Sequence, residues 1–362
     1  MAEQYTTTQE IVKAARQSVS VHVWNYITGA AESETTLRRN RHAIDCLAFR
    51  PRILRDVSKI DASTTFLGHR LRIPVLLAPI GSLQTIVPEG ALAVTRAAKA
   101  FGTMNLVSTV TAPSLEETAA STDHPKIFQI YIRGDEKWVD DLIDRVRKAG
   151  YAAIALTVDS AYYGRRERQL ISGWLPPSMR AGGSSETGRE HQAALTWDWM
   201  MRMKQRGRLP FMLKGVQTAE DAEIALEHGV DVIYVSNHGG RQLDQGQGAL
   251  DILPEVAAVV GKKVPIVVDG GFVRGTDVLK AVALGATAVG MGRMQAWALA
   301  AAGEAGVVRA LEIIEAEIHN AMGLIGVAKM SELTPKFITR APAVTPAHEL
   351  GTFTHLPEDL SR

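Results

Sequence analysis

The 362-residue chain is short of several features that would mark other functional classes. It holds one cysteine, Cys46, which excludes an internal disulfide and any multi-cysteine metal site. Cys46 reads instead as a small apolar residue, buried or half-buried. There is no excess of either charge: 40 Lys+Arg stand against 39 Asp+Glu, a net charge of +1. That balance argues against nucleic acid as the main partner. No apolar run approaches the roughly 18 residues of a membrane span, so stable membrane insertion is not expected. The opening stretch MAEQYTTTQE is polar and acidic, unlike a signal peptide. A cytoplasmic protein is the default expectation.

What the chain does have is alternation. Short apolar runs recur at Val75–Ala78, Met104–Ser108, Ile127–Tyr131, Ala153–Val158, Phe211–Lys214, Val232–Ser236, Pro265–Asp269 and Ala288–Gly292. Between them lie segments of helical spacing, among them Ala91–Ala100, Lys137–Ala149, Ala219–His228 and Thr276–Leu284. Eight β/α units in sequence predict an α/β fold, a closed (β/α)8 TIM barrel, rather than an open doubly wound sheet. Residues 1–72 precede the barrel as a small helical cap, with helices near Thr8–Tyr26 and Glu34–Leu47. The barrel is expected over 73–338 and a polar, proline-containing tail over 339–362. The cluster Arg38-Arg39-Asn40-Arg41-His42 reads as a solvated helix face, with phosphate binding the lesser option. Residues 170–196, with Pro176-Pro177 and Gly182-Gly183-Ser184-Ser185, read as a mobile lid or surface loop on the catalytic rim.

Barrel enzymes keep their reactive groups at the C-terminal ends of the strands. The run Val232–Val235 is followed there by Ser236-Asn237-His238-Gly239-Gly240-Arg241. One of these side chains can take a proton near neutral pH and another can hold a carboxylate. A lone loop histidine reads first as a turn residue; its company on the same rim changes the reading. Asp269-Gly270-Gly271 with Arg274, and Gly292-Arg293, each end a strand and open a helix, as a phosphate site requires. Lys214 ends an apolar strand, where it either snorkels to the rim or stands beside an electron-accepting ring. Asp159 can stabilise a protonated His238, and Arg166 can join Arg241 on an anion. Gln129 and Tyr131 share one strand face. Ser108 is a ring hydrogen-bonder or a turn hydroxyl. Pro79, Ile80 and Gly81 are small enough for something flat to approach the backbone.

These motifs resemble the FMN-dependent α-hydroxy acid oxidase/dehydrogenase family. The resemblance covers roughly residues 10–335 and is most specific at SNHGGRQLD (236–244). NYITGAAESETTL (25–37), FRPRIL (49–54), FQIYIRGD (128–135), LTVD (156–159), GRRE (164–167), LKGV (213–216), DGGFVRGTD (269–277) and GMGR (290–293) support it. It implies FMN as cofactor and oxidation of a small L-2-hydroxy acid to the 2-oxo acid, with O2 or another acceptor reoxidising the flavin. His238 is then the base, Asp159 its partner, and Tyr131 a hydrogen-bonder to the substrate hydroxyl. Tyr26, Arg166 and Arg241 hold the carboxylate. Lys214 lies near the pyrimidine edge of the flavin. Pro79, Ile80, Gly81, Ser108, Gln129, Thr157 and Ser236 line the ring. Asp269, Gly270, Gly271, Gly292 and Arg293, with Arg274 as substitute, serve the phosphate. A homo-oligomer, a tetramer, is expected.

The chain departs from the family pattern at four places. Val273 stands where an arginine is usual, which bears on FMN affinity. Gly81 stands where oxidases carry alanine, which keeps a lactate-monooxygenase-like decarboxylation open as an alternative. Val110 replaces a tryptophan and leaves room for a bulkier acid. The 170–196 segment is shorter than the apolar insert of membrane-bound members. A phosphate-binding NAD or isomerase barrel is the alternative outside flavin chemistry.

Overall fold

The computed structural model describes residues 2–179 and 186–356. Its centre is an eight-stranded parallel sheet: β1 (Val75–Leu77), β2 (Leu106–Ser108), β3 (Ile127–Ile130), β4 (Ala153–Thr157), β5 (Phe211–Val216), β6 (Val232–Val235), β7 (Ile266–Asp269) and β8 (Ala288–Met291). Each strand pairs with its sequence neighbour from β2 to β8, and β8 pairs with β1. A single bridge, Leu77 to Asn105, joins β1 to the β2 side and closes the ring. The strands are largely apolar because both faces are buried, one by helices and one by the barrel interior, with polar residues confined to their C-terminal halves. The expected (β/α)8 TIM barrel is the observed fold.

The interior is filled by Leu76, Met104, Leu106, Ile127, Ala153, Met212, Val232, Tyr234 and Val267. A hairpin, Thr64–Phe66 with His69–Leu71, seals the N-terminal end by adding Phe66 and Leu71 to that cluster. The C-terminal end is therefore the open one.

Over the expected first helix, Thr8–Tyr26, the chain makes two helices. α1 (Thr8–Ser18) starts on a Thr7–Glu10 capping box, and α2 (Val21–Thr28) starts afresh on the Ser20 side chain. The cap serine offers Val23 an acceptor that a continuous helix would supply from its backbone, so the chain turns there. α3 (Thr35–Asp45) follows. Its basic cluster is a solvated face only in part: Arg38, Arg39 and His42 are exposed, as expected, but Asn40 and Arg41 are not. Asn40 is fully buried and Arg41 is 3% exposed. Arg41 ion-pairs with Asp277 at 2.9 Å and Asp45 at 2.6 Å, which locks α3 onto the helix Gly275–Ala283.

Residues 170–196 are not one loop either. Helices occupy Glu167–Ser172 and Glu186–Ala193, and another spans Trp197–Gly207. The glycine–serine run at 182–185 lies outside the described residues. Gln192 ties this segment to the rim, accepting from the Ile132 N–H at 2.7 Å and donating to the Thr157 carbonyl at 2.9 Å. The tail also departs from the polar expectation: Leu350 and Phe353 are buried, and Phe353 packs edge-on against Trp297. Ile338–Arg340 pairs with Leu47–Phe49, joining the two ends of the chain. Cys46 is half-buried, with Sγ 3.3 Å from Nε2 of His42.

Candidate active site

The open end of the barrel holds a cleft of about 1410 Å³, counting its solvent-filled mouth. Tyr26, Pro79, Ile80, Gly81, Val110 and Tyr131 line one part of it. Arg166, Lys214, His238 and Arg241 line the middle. Asp269, Gly270, Gly271, Gly292 and Arg293 line the rest. Residues from several strand ends and from α2, far apart in sequence, thus share one cavity.

His238 is the best-defined group. It follows β6 with φ +57°, a left-handed conformation uncommon for a residue with a Cβ. Its backbone N–H donates to Ser236 Oγ at 3.0 Å. Nδ1 lies 2.8 Å from Oδ1 of Asp159, whose side chain is 2% exposed. A carboxylate can only accept, so Nδ1 carries the proton and Nε2 presents its lone pair. The Tyr131 hydroxyl lies 3.0 Å from Nε2 and donates to it. Burial, then the Lys214 and Arg166 charges, hold the imidazole pKa below 6.5 against the pull of Asp159. His238 is therefore neutral at pH 7. Burial alone would raise Asp159, but His238, Lys214 and Ser160 hold it below its ordinary value, so it stays ionised. Burial, then Asp159, push the Tyr131 phenol well up, so it keeps its proton. Gly215, at φ +116°, makes room for this array: a Cβ there would lie 2.8 Å from the Asp159 Cβ and backbone nitrogen.

Two guanidiniums face the same space. Arg241 donates to the carbonyls of Tyr26 and Gly29, both at 2.7 Å, and sits over the Tyr26 ring at 5.1 Å. Arg166 donates to the Arg241 carbonyl at 3.4 Å. Among the described residues neither meets a carboxylate within ion-pair distance. Burial, then the Arg166 charge, hold the Arg241 pKa well below its usual range. The Tyr26 hydroxyl donates to the Gly81 carbonyl at 2.8 Å, joining the cap to the β1 loop.

Lys214 donates to Ser236 Oγ at 2.9 Å and lies 3.6 Å from Asp269. The Ser236 hydroxyl in turn donates to Oδ1 of Asp269 at 2.7 Å. Ser108, Gln129 and Thr157 form a buried ladder across β2, β3 and β4, at 2.7 and 2.9 Å. With Ser236 they stand behind the cleft wall and fix it, whereas Pro79, Ile80 and Gly81 form its surface.

At the far end, Gly270 and Gly271 adopt φ +107° and +90°, and Gly292 begins the helix Arg293–Ile325. A Cβ on Gly292 would meet nothing within 4 Å, so the cleft comes down to bare backbone beside a helix N-terminus. Among the described residues Arg293 donates to carbonyls, those of Thr28, Gly239 and Gly29, each at 3.0 Å. Burial lowers its pKa to about 10. Arg274 departs from the expected role: it turns away from the cleft to pair with Glu317 at 2.8 Å, and Val273 lines the cavity in its place. The donor set fits a long, flat cofactor with a phosphate at one end. Arg293 and glycine N–H groups suit the phosphate. Lys214 and a small-residue wall suit the ring.

Sequence reasoning missed Asn40 and Arg41. Arg41 lines the cleft, and Asn40 bonds Asn237 in both directions, at 2.9 and 2.7 Å. The helical spacing of Thr36/Leu37, Asn40/Arg41 and Ala43/Ile44 marks one buried face and carried that signal. Glu349 was also missed. It lines the cleft from the tail and pairs with Arg168 at 3.0 Å, and no sequence pattern announces it.

Known proteins agree with this geometry. The profile of the FMN-dependent dehydrogenase family matches residues 15–340. Glycolate oxidase 1 of Zea mays is 39% identical over 92% of this chain and 95% of its own length. The L-lactate oxidase of Nostoc sp. is 37% identical over 91% and 96%. The crystal structure of a mandelate oxidase superposes with a TM-score of 0.87 at 36% identity, over 94% of this chain and all of the other. The NAD or isomerase alternative finds no support in these matches. On its cleft, its fold and these likenesses, the chain belongs to the FMN-dependent dehydrogenase family, with FMN as its cofactor.

Proposed function

We propose that the protein oxidises an L-2-hydroxy acid to the corresponding 2-oxo acid. One observation carries this reading. A neutral histidine backed by a buried carboxylate opens onto the same cleft as two guanidiniums that no carboxylate among the described residues neutralises. Arg241 and Arg166 bind the substrate carboxylate, with Tyr26 beside them; the charge-assisted hydrogen bonds fix its orientation. Tyr131 holds the substrate hydroxyl near Nε2 of His238. That nitrogen accepts a substrate proton, and Asp159 stabilises the imidazolium that results. FMN, when bound, would take up the two electrons together with the second proton. Lys214 faces its ring, while Arg293, Gly270, Gly271 and Gly292 hold its phosphate.

Val110, Tyr163 and Met179 border the substrate side of the cleft, and the small valine supports a bulkier acid than glycolate. The electron acceptor is O2 or another oxidant. A homotetramer is the expected assembly, and the exposed Ile53 and Leu54 on the FRPRIL stretch are apolar groups that a subunit contact would cover. Among the described residues no helix is long and apolar enough to cross a membrane. A cytoplasmic site is the accompanying expectation, as is the division into cap (1–72), barrel (73–338) and tail (339–362).

The test is anaerobic mixing of the FMN-loaded protein with lactate, mandelate and long-chain L-2-hydroxy acids. Bleaching of the flavin band by at least one acid, with the 2-oxo acid as product, is expected. A yellow protein that none of them bleaches would overturn the substrate class. The rate of recovery in air then separates an oxidase from a dehydrogenase.

A further inference from the structure

Beneath the cleft floor lies a residue that the reading above does not use. Tyr234 on β6 points into the barrel and is fully buried. It is the register partner of Lys214 on β5, so the two side chains lie side by side within the ring of strands. The Lys214 ammonium sits over the Tyr234 ring, 5.2 Å from its centroid. The phenol crosses the barrel toward β8. A Cβ on Gly290 would lie 1.9 Å from its hydroxyl and 3.1 Å from the Asp269 Cβ. Any side chain at 290 would therefore displace the ring. Burial, then the neighbouring Asp269 carboxylate, push the phenol pKa well up, so the group is neutral. Its hydroxyl makes no hydrogen bond of good geometry among the described residues. The hydroxyl end is turned toward Asp269 and Gly290, and the ring face is what Lys214 meets.

Three groups set the position of Lys214: Ser236, Asp269 and this ring. The first two draw it toward β6 and β7. The ring closes the remaining side from below. A buried ammonium over an aromatic face is attracted by the ring quadrupole, most strongly where water is absent.

We propose that Tyr234 is a positioning residue for Lys214. Its ring holds the ammonium up against the cofactor's ring, and Gly290 is the gap that lets the ring lie there. The proposal rests on the reading that Lys214 faces the flavin.

Sulfite provides the probe. It adds to oxidised flavin, bleaches it, and binds more tightly when positive charge lies beside the ring. Its Kd is to be measured on the FMN-loaded wild type and on the Tyr234→Phe, Tyr234→Leu and Lys214→Met variants, with FMN content measured alongside. Tyr234→Phe keeps the ring and should stay within about threefold of wild type, while Tyr234→Leu should weaken sulfite about tenfold. Lys214→Met should weaken it more. If Tyr234→Leu loses FMN, Tyr234→Met, a flexible filler of the same space, takes its place with the same expectation. A ring-less variant that binds sulfite as wild type does, while Lys214→Met does not, overturns the proposal and leaves the Lys214 reading intact. A Lys214→Met variant with unchanged sulfite affinity overturns both.

Discussion

Gly81 and Val110 are coupled, and a double-mutant cycle should show it. Gly81 ends the short loop after β1, and its carbonyl accepts the Tyr26 hydroxyl at 2.8 Å. A Cβ added there would lie 2.7 Å from Val110 Cγ2, 3.5 Å from the Val110 carbonyl and 3.7 Å from the Tyr26 hydroxyl. The first distance is well inside van der Waals separation. Valine has one strongly preferred χ1, so the methyl cannot easily swing aside and a loop must move. Overpacking of this kind costs about 1–3 kcal/mol. The shift per kcal/mol falls with size and lies at or below about 2 °C for a chain this long, so Gly81→Ala should lower Tm by about 1–5 °C. Val110→Ala removes the obstructing methyl from a half-buried site and should cost little by itself. In the double variant the new Cβ has room, so stability should recover by roughly 1–2 kcal/mol relative to the sum of the singles, within the range for touching residues. Release of flavin fluorescence on heating the four FMN-loaded proteins measures this. Additive losses, with no recovery in the double variant, would refute the steric account. The same pair shapes the cleft wall, so the volume freed by Val110→Ala should also lower KM for the bulkier acids among the accepted substrates.

The phosphate reading predicts an order of effects in titrations of apo-protein with FMN. Arg293→Gln should raise the FMN Kd by at least about tenfold, because the other guanidinium at that end, Arg41, is already paired with Asp45 and Asp277. Arg274→Gln should leave it nearly unchanged, because Arg274 pairs with Glu317; the reverse order would refute the assignment. The pH profile tests the histidine. His238 acts deprotonated and its pKa is held below 6.5, so the rate constant for flavin reduction should rise with pH through an inflection below 6.5 and level off above it. Asp159→Asn removes the group that raises this pKa, so the limb should move to lower pH while the plateau falls about 10²-fold or more; a limb moving upward would count against the pairing. Arg41→Met leaves Asp277 buried and unpaired and should destabilise the protein by about 3–5 kcal/mol in denaturant unfolding, the usual cost of breaking a buried pair from one side.

The sequence by itself determined the barrel and the identity of its rim. Eight apolar runs at β/α spacing allow few other folds, because a strand buried on both faces must be apolar and a helix covering it must be amphipathic. Strand ends are local features, so His238, Arg241, Asp159, Tyr131, Lys214 and Arg293 were legible from their neighbours in the chain. Tertiary structure alone decided what depends on long-range approach. It buried Asn40 and Arg41, whose run of basic neighbours looks solvated until α3 meets the helix Gly275–Ala283. It turned Arg274 toward Glu317, on a different helix, because that carboxylate is the nearer anion once the helices pack. It brought Glu349 from an unremarkable tail to the cleft by burying Leu350 and Phe353 beside it. It also placed the phenol of Tyr234 against the bare backbone of Gly290, two strands away across the barrel. Periodicity reports which face of an element is buried, but not which partner is found there, since the partner is chosen by the packing of elements far apart in the chain.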